Sequence, residues 1–197
     1  PGTQHDGQGM TLEQLAAGAV QLPGLGSHHR LITTRSSGAQ TYFDQGLRLL
    51  YAFNHDEAAR SFAKAAAIDP NCAMCFWGVA LTLGPNYNVP MLGSRAAMAW
   101  EALQAAVANA PGGTPEEQSL IDALTRRYAG PEPRTPAQMQ PYTEAYAEAM
   151  RRVARSFPSD MDIQVLFAES LMVRYPWKLW SLDGMPEPGT EEIVATL

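Results

Sequence analysis

The sequence predicts an all-α protein assembled from antiparallel helix pairs. Three observations carry that expectation. Between Ala39 and Gly84, two amphipathic segments are joined by a tight turn. Tyr42, Leu49 and Leu50 share a face with Gly46 in the first, and Ala58, Phe62 and Ala65 recur at helical spacing in the second. Asp69-Pro70 then stops the second segment, because proline cannot continue a helix and disfavours the α conformation just before it. A third apolar segment, with Phe76, Trp77, Ala80 and Leu81, follows at once, so the arrangement starts again.

This stretch resembles a tetratricopeptide repeat, a helix–turn–helix unit of about 34 residues. With Pro70 at the closing proline, Ala65, Phe62, Ala58 and Gly46 fall on the alanine, aromatic, alanine and small-residue positions of the pattern. The turn FNHDEA, Phe53 to Ala58, stands where the family usually carries a Gly-Asn-Tyr-Asp-Glu-Ala-like run. Ile68 to Ala80 reads like the opening of the next unit. Gln45 departs from the usual leucine, and Leu49 from the usual tyrosine. The resemblance implies a bacterial-type right-handed superhelical solenoid of antiparallel helix pairs over residues 39–197. Its units are expected at about 39–72, 73–111, 115–158 and an incomplete 159–197. Residues 1–38 are read as a tail, a short helix and a loop able to wrap the first unit.

Each element follows from local chemistry. Residues 1–10 lack a periodic apolar face and are expected to be a mobile tail. Thr11 can cap a short helix over Leu12 to Val20, with Glu13 early in it. Pro23, Gly24 and Gly26 mark a loop, and Leu31 to Thr34 an extended connection. After the first pair, whose turn is read at Asn54 to Asp56, a helix from near Ala73 pairs with one from about Ser94 to Ala110, closed by Pro111. This unit exceeds the family period through the turn-rich insertion GPNYNVPMLG at 84–93, a length of loop more often functional than neutral. Thr114-Pro115-Glu116-Glu117 is a helix start, with a capping threonine, a first-position proline and an acidic first turn. That helix should reach Tyr128. A rigid connector at 130–136 leads to a long helix from Pro136 to Phe157, and Ser159 or Asp160 caps another through Leu171. A second Pro/Gly/Trp-rich insertion precedes a helix beginning near Thr190. Because that helix is cut at Leu197, more chain or a partner is expected beyond it, and the start at Pro1 is expected to reflect processing or a longer parent chain.

Composition narrows the function. The 197 residues carry a net charge of −6, and no basic block offers phosphate neutralisation, which argues against a nucleic-acid partner. No apolar run reaches the roughly 20 residues of a membrane span. The two cysteines are too few for a disulfide scaffold. A periplasmic or secreted location after processing is favoured slightly over the cytoplasm.

In tetratricopeptide proteins the first helix of each unit lines a concave groove. The resemblance therefore implies a surface of Gln40, Phe43, Leu47, Leu50, Tyr51, Met74, Trp77 and Leu81, binding a protein or peptide partner or another part of the same polypeptide. Its apolar character disfavours the family's Lys/Asn clamp for a terminal carboxylate. The alternative is metal or redox chemistry at His28, His29, His55, Cys72 and Cys75, with copper or zinc suited to imidazole and thiolate. Packed or solvated side chains, or a disulfide between the cysteines, explain the same residues without a metal. No nucleophile arrangement, phosphate loop or carboxylate pair stands out, so an enzyme is not expected.

Overall fold

Side-chain caps and prolines decide where the helices lie. The computed structural model describes residues 10–197. Among them are nine α-helices and no strand: α1 (Leu12–Ala17), α2 (Ser37–Tyr51), α3 (His55–Ile68), α4 (Ala73–Leu83), α5 (Ala96–Asn109), α6 (Pro115–Thr125), α7 (Pro136–Ser156), α8 (Met161–Met172) and α9 (Thr190–Thr196). The all-α expectation holds. The tail expected over 1–10 lies, apart from Met10, outside the described residues.

Thr11, Thr114 and Thr135 each accept a hydrogen bond from the backbone three residues on. The Gln14, Glu117 and Gln138 side chains reciprocate, completing capping boxes at α1, α6 and α7. Ser36, Asn54 and Asp160 cap α2, α3 and α8. Because Asn54 caps it, α3 begins at His55, earlier than a turn at Asn54 to Asp56 would allow.

The helices pack in chain order, α2 on α3, α3 on α4 and α4 on α5, with α6 against α4 and α5. Helix α7 rests on α6 and α8, and α9 on α8. Phe62 of α3 sits at the heart of this stack, fully buried between two glycines. A Cβ at Gly46 of α2 would lie 2.7 Å from its ring, and one at Gly78 of α4 only 2.4 Å. The two neighbouring helices therefore approach Phe62 as closely as backbone allows.

Residues 18–35 run across this stack as a strap held by side-chain amides and charges. Gln45 accepts from Leu22 N and donates to Val20 O. Gln40 likewise accepts from Ile32 N and donates to Arg30 O. Thr33 N donates to Glu117 of α6 at 2.7 Å. Arg30 forks onto Asp160, at the head of α8, through two bonds of 2.8 and 2.9 Å. Extended backbone needs partners, and here α2 and α6 supply them, while α8 holds the Arg30 side chain.

Candidate functional site

Between the first helix pairs and α8 the packing leaves a cavity of about 520 Å³. Helix α2 offers Leu50 and Tyr51, the turn after it Phe53, α3 His55 and α4 Leu81. The 84–93 insertion adds Pro85, Asn86 and Tyr87. Across from them, α8 presents Asp162, Val165, Leu166, Glu169 and Met172, spaced at three and four residues on one face. The wall is largely apolar.

Polar groups collect in two places. At one end, Asp162 accepts from the Tyr51 hydroxyl at 2.7 Å, from His28 Nε2 at 2.9 Å and from Arg30 at 3.1 Å. Burial, with Asp162 adding to it, pushes the Tyr51 phenol far up, so the hydroxyl stays a donor. Burial also works against the neighbouring Asp160 carboxylate. The hydrogen bonds from Arg30 and from Ile163 N–H outweigh it and hold that pKa below the ordinary value.

The second place is around Arg127 and Glu169, which both line the cavity. Arg127 follows α6 and is only 1% exposed. It donates to the Pro85 carbonyl and lies 4.9 Å from the centre of the Tyr146 ring. Its Nε–H finds no acceptor, and none of the ion pairs among the described residues includes it. The half-buried Glu169 side chain borders the cavity. Burial raises its carboxyl pKa, an effect that the Arg127 charge offsets only in part. The cavity lining thus holds a buried guanidinium that forms no ion pair among the described residues and a carboxyl whose pKa burial raises.

The residues singled out from the sequence scatter around this cavity. Leu50, Tyr51 and Leu81 line it. Phe43, Leu47, Met74 and Trp77 are buried in the core and offer no open face, and Gln40 is occupied by the strap. The reason is that α4 is apolar nearly all round and is covered by neighbours on most sides. Cys72 and Cys75 form a disulfide, leaving no thiolate for a metal. His28 binds Asp162, His29 binds Asp44 at 2.7 Å and His55 binds the Phe53 carbonyl at 3.1 Å. The five His/Cys positions thus share no centre. Among the described residues, no group of three His, Cys, Asp or Glu is placed to hold a metal ion.

Sequence reasoning passed over Arg127, Glu169, Asp162 and Phe53. Glu169 did carry a signal, as a lone acid within the apolar run from Val165 to Val173. Comparisons with family models, with curated proteins and with solved structures returned no match.

Proposed function

We propose that this chain is a tetratricopeptide-like helical scaffold whose working surface is an open-mouthed cavity for a small, largely apolar ligand. The observation that carries this reading is the cavity itself. Its volume of about 520 Å³ falls within the range of small-molecule sites, roughly 300–1,000 Å³, and an apolar wall with few convergent polar groups is their usual lining. The repeat resemblance supports the scaffold, since helical repeats set their inserted loops and first helices around one concave face. The Cys72–Cys75 disulfide fits the oxidising compartment of a periplasmic or secreted protein.

The test is uptake of a neutral apolar fluorophore, N-phenyl-1-naphthylamine. Saturable binding at one site is expected, and Val165→Trp, which fills the cavity from α8, should abolish it while leaving the helical circular dichroism intact. No saturable uptake, or equal uptake by the filled variant, would sink the proposal.

A protein partner is the second reading, favoured by one specific observation. Trp177, Trp180, Leu182 and Met185 all stand exposed on the loop between α8 and α9. Clustered apolar side chains of this kind mark association surfaces. Such a partner would dock outside the cavity.

A further inference from the structure

The polar end of the cavity identifies the class of ligand, an inference that rests on the cavity reading above. Arg127 is a permanent cation, almost wholly buried, with an orphaned Nε–H and no carboxylate partner among the described residues. Burying a charge without a counter-charge is strongly unfavourable, and breaking a buried pair by removing one member shows how much is at stake. The Pro85 carbonyl and the Tyr146 ring face supply partial compensation, but neither carries a negative charge. Glu169, which borders the same cavity, forms no ion pair with Arg127, and among the described residues no hydrogen bond reaches its carboxyl. An anion is what this arrangement lacks.

We propose that the cavity takes an apolar carboxylic acid, its chain against Leu50, Leu81, Val165 and Leu166 and its carboxylate at Arg127, with the Glu169 carboxyl lining the same site. A planar carboxylate matches the fork of guanidinium N–H groups, which is the geometry that makes such pairs strong. A phosphate fits worse, because Arg127 is the one permanent cation among the lining residues and the second phosphate charge would go unmatched. An amine fits worst, since its own charge would lie beside the guanidinium.

The head-group chemistry is linked to pH through Glu169. A carboxylate arriving beside it adds like charge, which together with burial favours the protonated acid. Binding therefore takes up a proton at Glu169. Affinity is highest below the Glu169 pKa in the cavity and falls as pH rises through it. Other ionisable groups face Glu169: Tyr51 of α2, His55 of α3 and Asp162 of α8 with His28 bound to it. Behind the lining, Arg127 packs against the Tyr146 ring, and the Tyr128 hydroxyl donates to the Ala80 carbonyl. Burial holds the Tyr128 and Tyr146 phenols up, the former to about 12, so both stay neutral. Burial lowers the His55 pKa, which disfavours its cation. Substitution separates Glu169 from the rest.

Calorimetric titration with decanoate and with decanol, at about pH 5.5 and about pH 8, tests the proposal on the intact chain, Glu169→Gln and Arg127→Met. At the lower pH decanoate is expected to bind about tenfold tighter than decanol, as one charge-assisted pair allows. At the higher pH that advantage should shrink in the native protein and persist in Glu169→Gln, whose amide mimics the protonated acid. Arg127→Met should reduce decanoate to the level of decanol. If Arg127→Met unfolds by circular dichroism, the Glu169→Gln pH profile decides alone. Equal affinities for the two probes would overturn the head-group inference and leave the cavity reading standing. A Glu169→Gln profile as steep as the native one would also overturn it. Binding of neither probe would overturn the cavity reading itself.

Discussion

Phe53 holds a backbone conformation that glycine adopts without strain. Its φ is 60°, in the left-handed region, while Phe53 N–H and Asn54 N–H close the end of α2 onto the Leu50 and Leu49 carbonyls. A side chain there costs about 1–2 kcal/mol, whereas glycine gives back about 0.5–1 kcal/mol through its unfolded-state entropy. Phe53→Gly should therefore raise stability in urea unfolding by up to about 1 kcal/mol. The same change should weaken probe uptake, because the Phe53 ring is 64% exposed at the cavity rim and contributes little to the core. A loss of stability with unchanged uptake would contradict this view of a strained residue kept for its position. Strain of this kind tends to collect at functional sites. The sequence shows the departure plainly, since the repeat pattern places glycine where Phe53 stands. Arg127 was less legible. A pair of arginines at a helix end reads as ordinary cations favoured by the dipole there. Its burial depends on Pro85 and Tyr146, which lie far away in sequence.

At the scale of elements, the close contact of α2, α3 and α4 around Phe62 governs stability. Gly78→Ala would put a methyl group 2.4 Å from a fully buried ring that has no solvent side to retreat to. Overpacking of about 1–3 kcal/mol is expected, measured as a lowered urea midpoint at unchanged slope. A midpoint within error of the native value would mean that Phe62 moves freely, against its packing. This contact was half legible. Gly46 and Phe62 announce it through helical spacing and the repeat pattern, but Gly78 lies in a run with too many apolar residues to show a preferred face. The helix positions also came through well, because caps and prolines are local signals. Which faces stayed open did not come through. That depends on where α8 and the strap settle, and both arrive from distant parts of the chain.

For the whole molecule, the cavity exists because separate layers are held apart and tied together at once. The strap anchors Arg30 to Asp160 and Asp162, and Tyr51 reaches Asp162 across the gap, so α8 is fixed opposite α2 by ionic and hydrogen-bonded contacts at one end. Between them the apolar wall remains unfilled. Methionines report directly on this arrangement, because Met161 and Met172 line the cavity while Met74 and Met150 are buried in the core. Met91 and Met139 line an adjoining, smaller cavity of about 250 Å³ under the 84–93 insertion, which shares Pro85, Asn86 and Tyr87 with the larger one. The most direct measurement is therefore methyl NMR of the ¹³C-methionine-labelled protein titrated with decanol. Saturable shifts are expected at Met161 and Met172, with Met74 and Met150 unmoved. Saturable shifts at Met91 and Met139 alone, or none at all, would contradict the assignment of the larger cavity as the binding site.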